Sequence, residues 1–151
     1  MPNQLIEKVE EKRKVLRKLE EVLSEAQVSR ARRDHHARRA PRPCGMTIHS
    51  GTGCSYGCAY CYVPYMGFSM RPAGYPLEPL EIVYALAANP YVAPGPVGTL
   101  AAYGSVTEPF LPGIAERTLG YLAAVWSFLK LPSQVSTKSV LTREQIKRLK
   151  L

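Results

Sequence analysis

An α/β fold built on parallel strands is the architecture this sequence predicts, and three observations predict it. From residue 44 onward, strand-like apolar runs alternate with amphipathic helical runs. The run TLAAYGSV (99–106) is apolar nearly throughout, the pattern of a strand buried on both faces. The helical runs carry their own punctuation: Asn89-Pro90 stops one, Pro112 and Pro132 bracket a second, and Thr142 is placed to cap a third.

Residues 4–28 predict one long helix. Leu5, Val9, Leu16, Leu19, Val22, Leu23 and Ala26 recur near the helical period, Glu and Lys fill the other face, and neither Gly nor Pro intervenes. At about 1.5 Å per residue such a helix would run roughly 40 Å. Its apolar seam is narrow, and Lys12 interrupts it. Residues 29–43, SRARRDHHARRAPRP, predict a basic linker, because Pro41 and Pro43 stop a helix. His35 and His36 are adjacent, a poor arrangement for joint chelation, and are expected in solvent. The remainder, 44–151, predicts the core. A strand at CGMTIHSG (44–51) leads into a cysteine loop, and a helix follows over 77–90. A loop at 92–98 precedes the strand 99–106 and the helix 112–131. A third strand over 133–140 and a helix over 142–151 complete the series. Tyr103 and Trp126 are expected in the core.

With 151 residues the chain is long enough for one modest domain. The formal net charge of +8 favours polyanionic partners, nucleic acid or an acidic protein. That charge is uneven, with residues 44–129 close to neutral. Arg32, Arg33, Arg38 and Arg39 of the basic segment are the candidate phosphate contacts. No aromatic residue is interleaved with them, so base stacking is not expected there. The N-terminus carries charges where a signal peptide needs an apolar run, and no run reaches the length of a membrane span. A cytoplasmic protein is expected, without membrane contact. In a reducing compartment, clustered cysteines are metal ligands or catalysts more often than disulfides.

Parallel strands place the loops that follow them on one face, where ligands bind in such folds. Three stretches with chemistry occupy such loops: the cysteine loop after the first strand, GSVTEP after the second, and STKS at the end of the third. They are expected to converge on one rim.

The cysteine loop reads GTGCSYGCAYCY (51–62), with Cys54, Cys58 and Cys61 in C-x3-C-x2-C spacing. A closed zinc site would need Cys44 or His49 as the fourth ligand, a four-thiolate iron–sulfur carrier would need Cys44, and structural cysteines would need neither. The remaining reading is a 4Fe–4S cluster held at three corners, with one iron left for a small molecule. Gly51, Gly53 and Gly57 would let backbone wrap closely around it.

The stretch resembles the radical S-adenosylmethionine (radical SAM) superfamily, whose signature is C-x3-C-x-aromatic-C, with Tyr60 at the aromatic position. More narrowly, SGTGCSYGCAYCYVPYMGF together with YGSVTEPF and VSTKSVLTRE is similar to the DNA-repair-photolyase-like branch, relatives of spore photoproduct lyase. The resemblance implies that Cys54, Cys58 and Cys61 ligate the cluster and that the fourth iron chelates the methionine end of SAM. It implies Tyr60 near the adenine, Ser105, Thr107 and Glu108 at the amino end, and Ser136 and Lys138 at the carboxylate or ribose. The family's reaction is reductive cleavage of SAM to a 5′-deoxyadenosyl radical that abstracts a substrate hydrogen, which calls for an electron donor. Tyr62 and Tyr65 are open between lining the substrate space and packing. In residues alone, Thr107 and Glu108 are equally open to capping a helix.

Two departures bear on the activity. Spore photoproduct lyase uses an extra cysteine near the end of the second strand, and AYGSVTEP has Gly104 and Ser105 there instead. Residues 44–151 also supply about three strand–helix units where a full eight-unit barrel needs about 250 residues. The resemblance therefore implies half of a partial TIM-like barrel, with the chain expected to be a fragment, one half of a split protein, or a subunit completed by a second copy or chain. The alternative function is a zinc-bearing nucleic-acid module that works through the basic arm.

Overall fold

The computed structural model describes residues 2–150. Five helices, numbered α1 to α5 with α5 at Arg143–Leu149, and five short strands, β1 to β5, are found among the described residues. β1 (Met46–Ile48), β4 (Ala101–Tyr103) and β5 (Ser133–Val135) form a parallel sheet in the order β1-β4-β5. The register pairs Met46 with Ala101 and Ala101 with Ser133. Helices α3 (Pro79–Ala88) and α4 (Ala115–Leu129) fall between these strands in the chain, as crossover helices must. The parallel α/β expectation is met. The cysteine segment leaves β1 through a small antiparallel pair, β2 (Gly51–Thr52) with β3 (Ala73–Gly74).

α3 is the centre of the core. Glu81 through Ala87 are all buried, a helix covered nearly all round. Its N-terminus is fixed by Glu78 and Glu81 in a capping box with Pro79 at the first position, and Asn89 ends it. The Asn89 amide is fully used: Nδ2 donates to the carbonyls of His36 and Arg39, each at 2.8 Å, and Oδ1 accepts from Tyr91 N. Ile82, Val83, Leu86 and Tyr84 pack with Met46, Ile48, Tyr103, Tyr121, Val125 and Leu129 in one cluster. Burying side chains of this size contributes about 1.5–3 kcal/mol each.

The N-terminal region departs from the expectation of a single helix. α1 spans Pro2–Glu20 and α2 spans Glu25–Arg33. The break is local chemistry. Ser24 accepts from Gln27 N while the Gln27 side chain accepts from Ser24 N, a capping box that restarts the helix in a new direction. The basic segment 29–43 is likewise no free linker. Its first residues complete α2, and a 3-10 turn follows at His35–Ala37, with Ala31, His36 and Ala37 buried. Arg30 grips the buried Glu81 with two parallel bonds of 2.8 Å. Arg32 and Glu20 meet on the Tyr84 hydroxyl.

Lys12 interrupts the seam of α1 for a reason. Its ammonium donates to Val92 O at 2.9 Å and also to Asn89 O, while Lys8 reaches Pro94 O at 2.8 Å. Unpaired carbonyls beyond a helix C-terminus attract cations, and these two lysines supply them. Farther back, Leu5, Ile6 and Val9 are exposed, so only the C-terminal half of α1 is in the core. Tyr103 is buried as expected. Trp126 is not core: it is 40% exposed, with the Lys130 ammonium 5.3 Å from its ring.

One glycine fixes how closely the β4 and β5 loops approach. Gly104 has φ of +101°, and a Cβ there would stand 2.3 Å from Ser136 O. Gly104→Ala is expected to cost about 1–3 kcal/mol or more through backbone strain and collision, read as a lower midpoint in chemical denaturation.

Candidate functional site

The three loops converge. A cavity of about 290 Å³ is lined by Cys54, Cys58, Tyr60, Cys61 and Tyr62, by Gly104 through Glu108, and by Ser136, Thr137 and Lys138. It opens at the carboxyl ends of β1, β4 and β5, where parallel α/β sheets place their ligands.

All three cysteines are unpaired thiols, partly exposed on a single loop. A Cys61 N to Cys58 O turn of 3.0 Å brings the last two together, and Cys54 N is anchored on Met70 O at 3.2 Å. Gly57 has φ of +60° and open space where a side chain would project, so the loop presents bare backbone there. Among the described residues, the amides of 55–60 donate to no protein acceptor. Free thiols on a loop whose amides are also free suit a ligand made of iron and sulfide, because such amides can bond cluster sulfurs. The residues present therefore fit the group that the resemblance implies. Cys44 is elsewhere. It precedes β1, in a tight turn closed by Arg42 and Gly45, whereas the cysteine loop follows β1.

The opposite wall is tied together by side chains. Thr107 is buried, and its hydroxyl donates to Gly53 O, joining the β4 loop to the cysteine loop. Buried Glu108 accepts from Lys138 N at 2.8 Å, from Phe110 N at 3.2 Å and from the Thr137 hydroxyl. Tyr62 donates to Ser105 O at 3.1 Å, and the Tyr56 and Ser139 hydroxyls meet at 2.7 Å. Thr107 and Glu108 thus have partners within the protein. Three expected contacts remain available. Ser105 Oγ is buried in the wall without a hydrogen-bond partner. Ser136 is exposed on the neighbouring β5 loop, and Lys138 is exposed with its ammonium 4.3 Å from the centre of the Tyr60 ring. That stacking holds Tyr60, itself 75% exposed, against the cavity mouth. Tyr62 lines the cavity, while Tyr65 is 92% exposed outside it.

Of the four candidate phosphate contacts, two are engaged in the fold. Arg32 bonds Tyr84 and Glu20, and Arg39 donates to Thr47 O. Arg33 and Arg38 are exposed.

A second group of chemically capable side chains lies where the sequence gives no reason to expect one. His36 is fully buried, against the expectation of solvent, and packs with His35, His49 and Tyr75. Adjacent residues reach the same place because the 3-10 turn carries them there, with Asp34 as its cap. Burial would raise the Asp34 carboxyl, but bonds from His36 and Tyr75 outweigh it and hold it well below the usual carboxylate range. Burial and then the neighbouring His36 push His35 down to about 4, and burial with the same neighbour pushes His49 down to about 3. An unfolded imidazole titrates near 6.5, well above both values. Between those values the unfolded chain binds more protons than the folded one, so stability is full above about pH 6.5 and falls as pH drops toward 4. Thermal midpoints over that range should fall monotonically, and the fall should shrink in His49→Gln.

No family model matches this chain, and neither the curated proteins nor the solved structures include a match. Among the described residues, no helix is long and apolar enough to cross a membrane.

Proposed function

We propose that this chain is a radical SAM protein that holds a 4Fe–4S cluster on Cys54, Cys58 and Cys61 and S-adenosylmethionine in the adjoining cavity. What carries the reading is the convergence of three separate loops on one cavity, with three free thiols on one side and, on the other, an unpaired hydroxyl and an ammonium stacked on the Tyr60 ring. When bound, the cluster would supply the electron for reductive cleavage of SAM. This chain's own residues bind and orient. Tyr60 offers a flat face for adenine, Ser105 Oγ a free hydrogen-bonding group, and Lys138 a cation for the carboxylate, with no carboxylate partner of its own among the described residues. Thr107 and Glu108 act as positioning residues that hold the loops.

Anaerobic purification with iron and sulfide analysis, followed by SAM cleavage under a strong reductant, tests the proposal. Iron-bearing, visibly coloured protein that releases methionine from SAM supports it; colourless protein without iron refutes it. Lys138→Ala should keep its iron and weaken SAM binding by about tenfold or more, the loss of one charge-assisted contact. Unchanged affinity would remove Lys138 from the site. An electron donor, a nucleic-acid substrate met by Arg33 and Arg38, and a second chain extending the sheet are the finer parts of the proposal. Binding of DNA or RNA that weakens steeply with salt would support the nucleic-acid part.

A further inference from the structure

The geometry points to a second metal site, away from the thiols, in which His35, His36 and His49 hold one divalent cation of the zinc class. One ring nitrogen from each lies within 4.8 Å of the other two. The three come from two elements: the 3-10 turn supplies His35 and His36, and the residue directly after β1 is His49.

The hydrogen bonds around the rings fix which atoms are available. Tyr75 O–H donates to Asp34 Oδ2 at 2.6 Å. Its oxygen then accepts from His35 Nδ1–H at 3.2 Å, which leaves the lone pair of His35 on Nε2. His36 Nδ1–H donates to Asp34 Oδ1 at 2.6 Å, so its lone pair is also on Nε2, where it accepts from His49 N at 3.1 Å until a metal takes that place. An imidazole held by a carboxylate through one nitrogen and offering the other is the standard support of a metal-bound histidine. His49 supplies the independent observation. The residue is 8% exposed, and its Nδ1 is buried with no hydrogen-bond partner. An orphaned nitrogen of this kind is unfavourable, and a cation would satisfy it.

Charge and access agree. Metal binds the neutral form of an imidazole. Asp34 contributes a negative charge beside the cluster, opposed by Arg39. His35 is the exposed member and gives an entry path. Imidazole ligands suit zinc, copper and nickel over calcium or magnesium. Tetrahedral zinc at about 2.1 Å from each nitrogen would draw them to roughly 3.4 Å apart. The metal would also displace the 3.1 Å contact from His49 N to His36 Nε2. That competition makes the site weaker than a closed structural one.

Zinc titration of the full chain with Cys54, Cys58 and Cys61 replaced by serine is the test, with the metal alone as probe. One zinc per chain in the micromolar range is expected, falling at least tenfold in His35→Ala, whose ring is at the surface and whose loss leaves the core packed. His49→Gln should lose binding as well, with circular dichroism to verify folding. If the serine variant is itself unfolded, cobalt(II) added to the unaltered chain after its thiols have been alkylated reads the same site: visible absorption lost in His35→Ala supports it. No zinc binding by folded serine variant, zinc affinity unchanged in His35→Ala, or cobalt absorption unchanged by that substitution would each overturn the proposal.

Discussion

Cys58→Ser is expected to yield protein without iron after anaerobic purification, whereas Cys44→Ser is expected to keep its full complement. The asymmetry follows from topology. Cys58 is on the loop that follows β1, beside Cys61 and against the cavity wall. Cys44 is exposed before the other end of that strand, in the turn that Arg42 and Gly45 close. Strands rise about 3.3 Å per residue, so β1 alone separates the two ends by roughly 10 Å. Iron lost from both variants would mean four-cysteine ligation and a rearranged loop. Iron retained in both would mean that the thiols do not hold it. Iron and sulfide analysis with the visible spectrum decides among these outcomes.

The second large effect is expected at Glu108. Its carboxylate gathers three donors from two loops, and Glu108→Ala strands Lys138 N–H and Phe110 N–H together with the Thr137 hydroxyl. A loss of about 1–3 kcal/mol is expected, the cost of leaving the buried Phe110 N–H unsatisfied, while the exposed Thr137 and Lys138 donors can turn to water. SAM affinity should fall with it, because the segment bearing Ser136 and Lys138 would lose its anchor. Glu108→Gln, which keeps an acceptor, should lie between. Denaturation curves beside SAM titration separate two roles. A carboxylate that binds ligand directly would lose affinity in the alanine variant with stability intact, and that result would rule out a positioning role for Glu108.

Much of the core is legible in the sequence because its signals are local. α3, α4 and α5 carry their own punctuation in Asn89-Pro90, Pro132 and Thr142, and β4 is apolar along its length. The meeting of three loops follows from strand direction alone. What escapes has physical causes. The apolar period runs past Ser24, and the Ser24/Gln27 capping box, present in the sequence, ends one helix within that period. The arginine-rich segment reads as solvated because charge is normally exposed, yet Glu81, Glu20 and Tyr84 give Arg30 and Arg32 partners from distant parts of the chain. The histidine cluster depends on a 3-10 turn meeting the end of β1, a contact without local periodicity. Its one local sign is the Asp34 cap immediately before the pair.

Tyr84 has a practical bearing on how this protein can be handled. Its hydroxyl is where Glu20 and Arg32 meet, so α1, α2 and α3 share a single polar junction on a buried ring. A trimmed version beginning at residue 44 would discard two of the three participants along with Leu19 and Ala31 from the interior. It would bare the back of α3 to water and invite clumping, so the two N-terminal helices belong in any expression clone meant to retain the cysteine-bearing half.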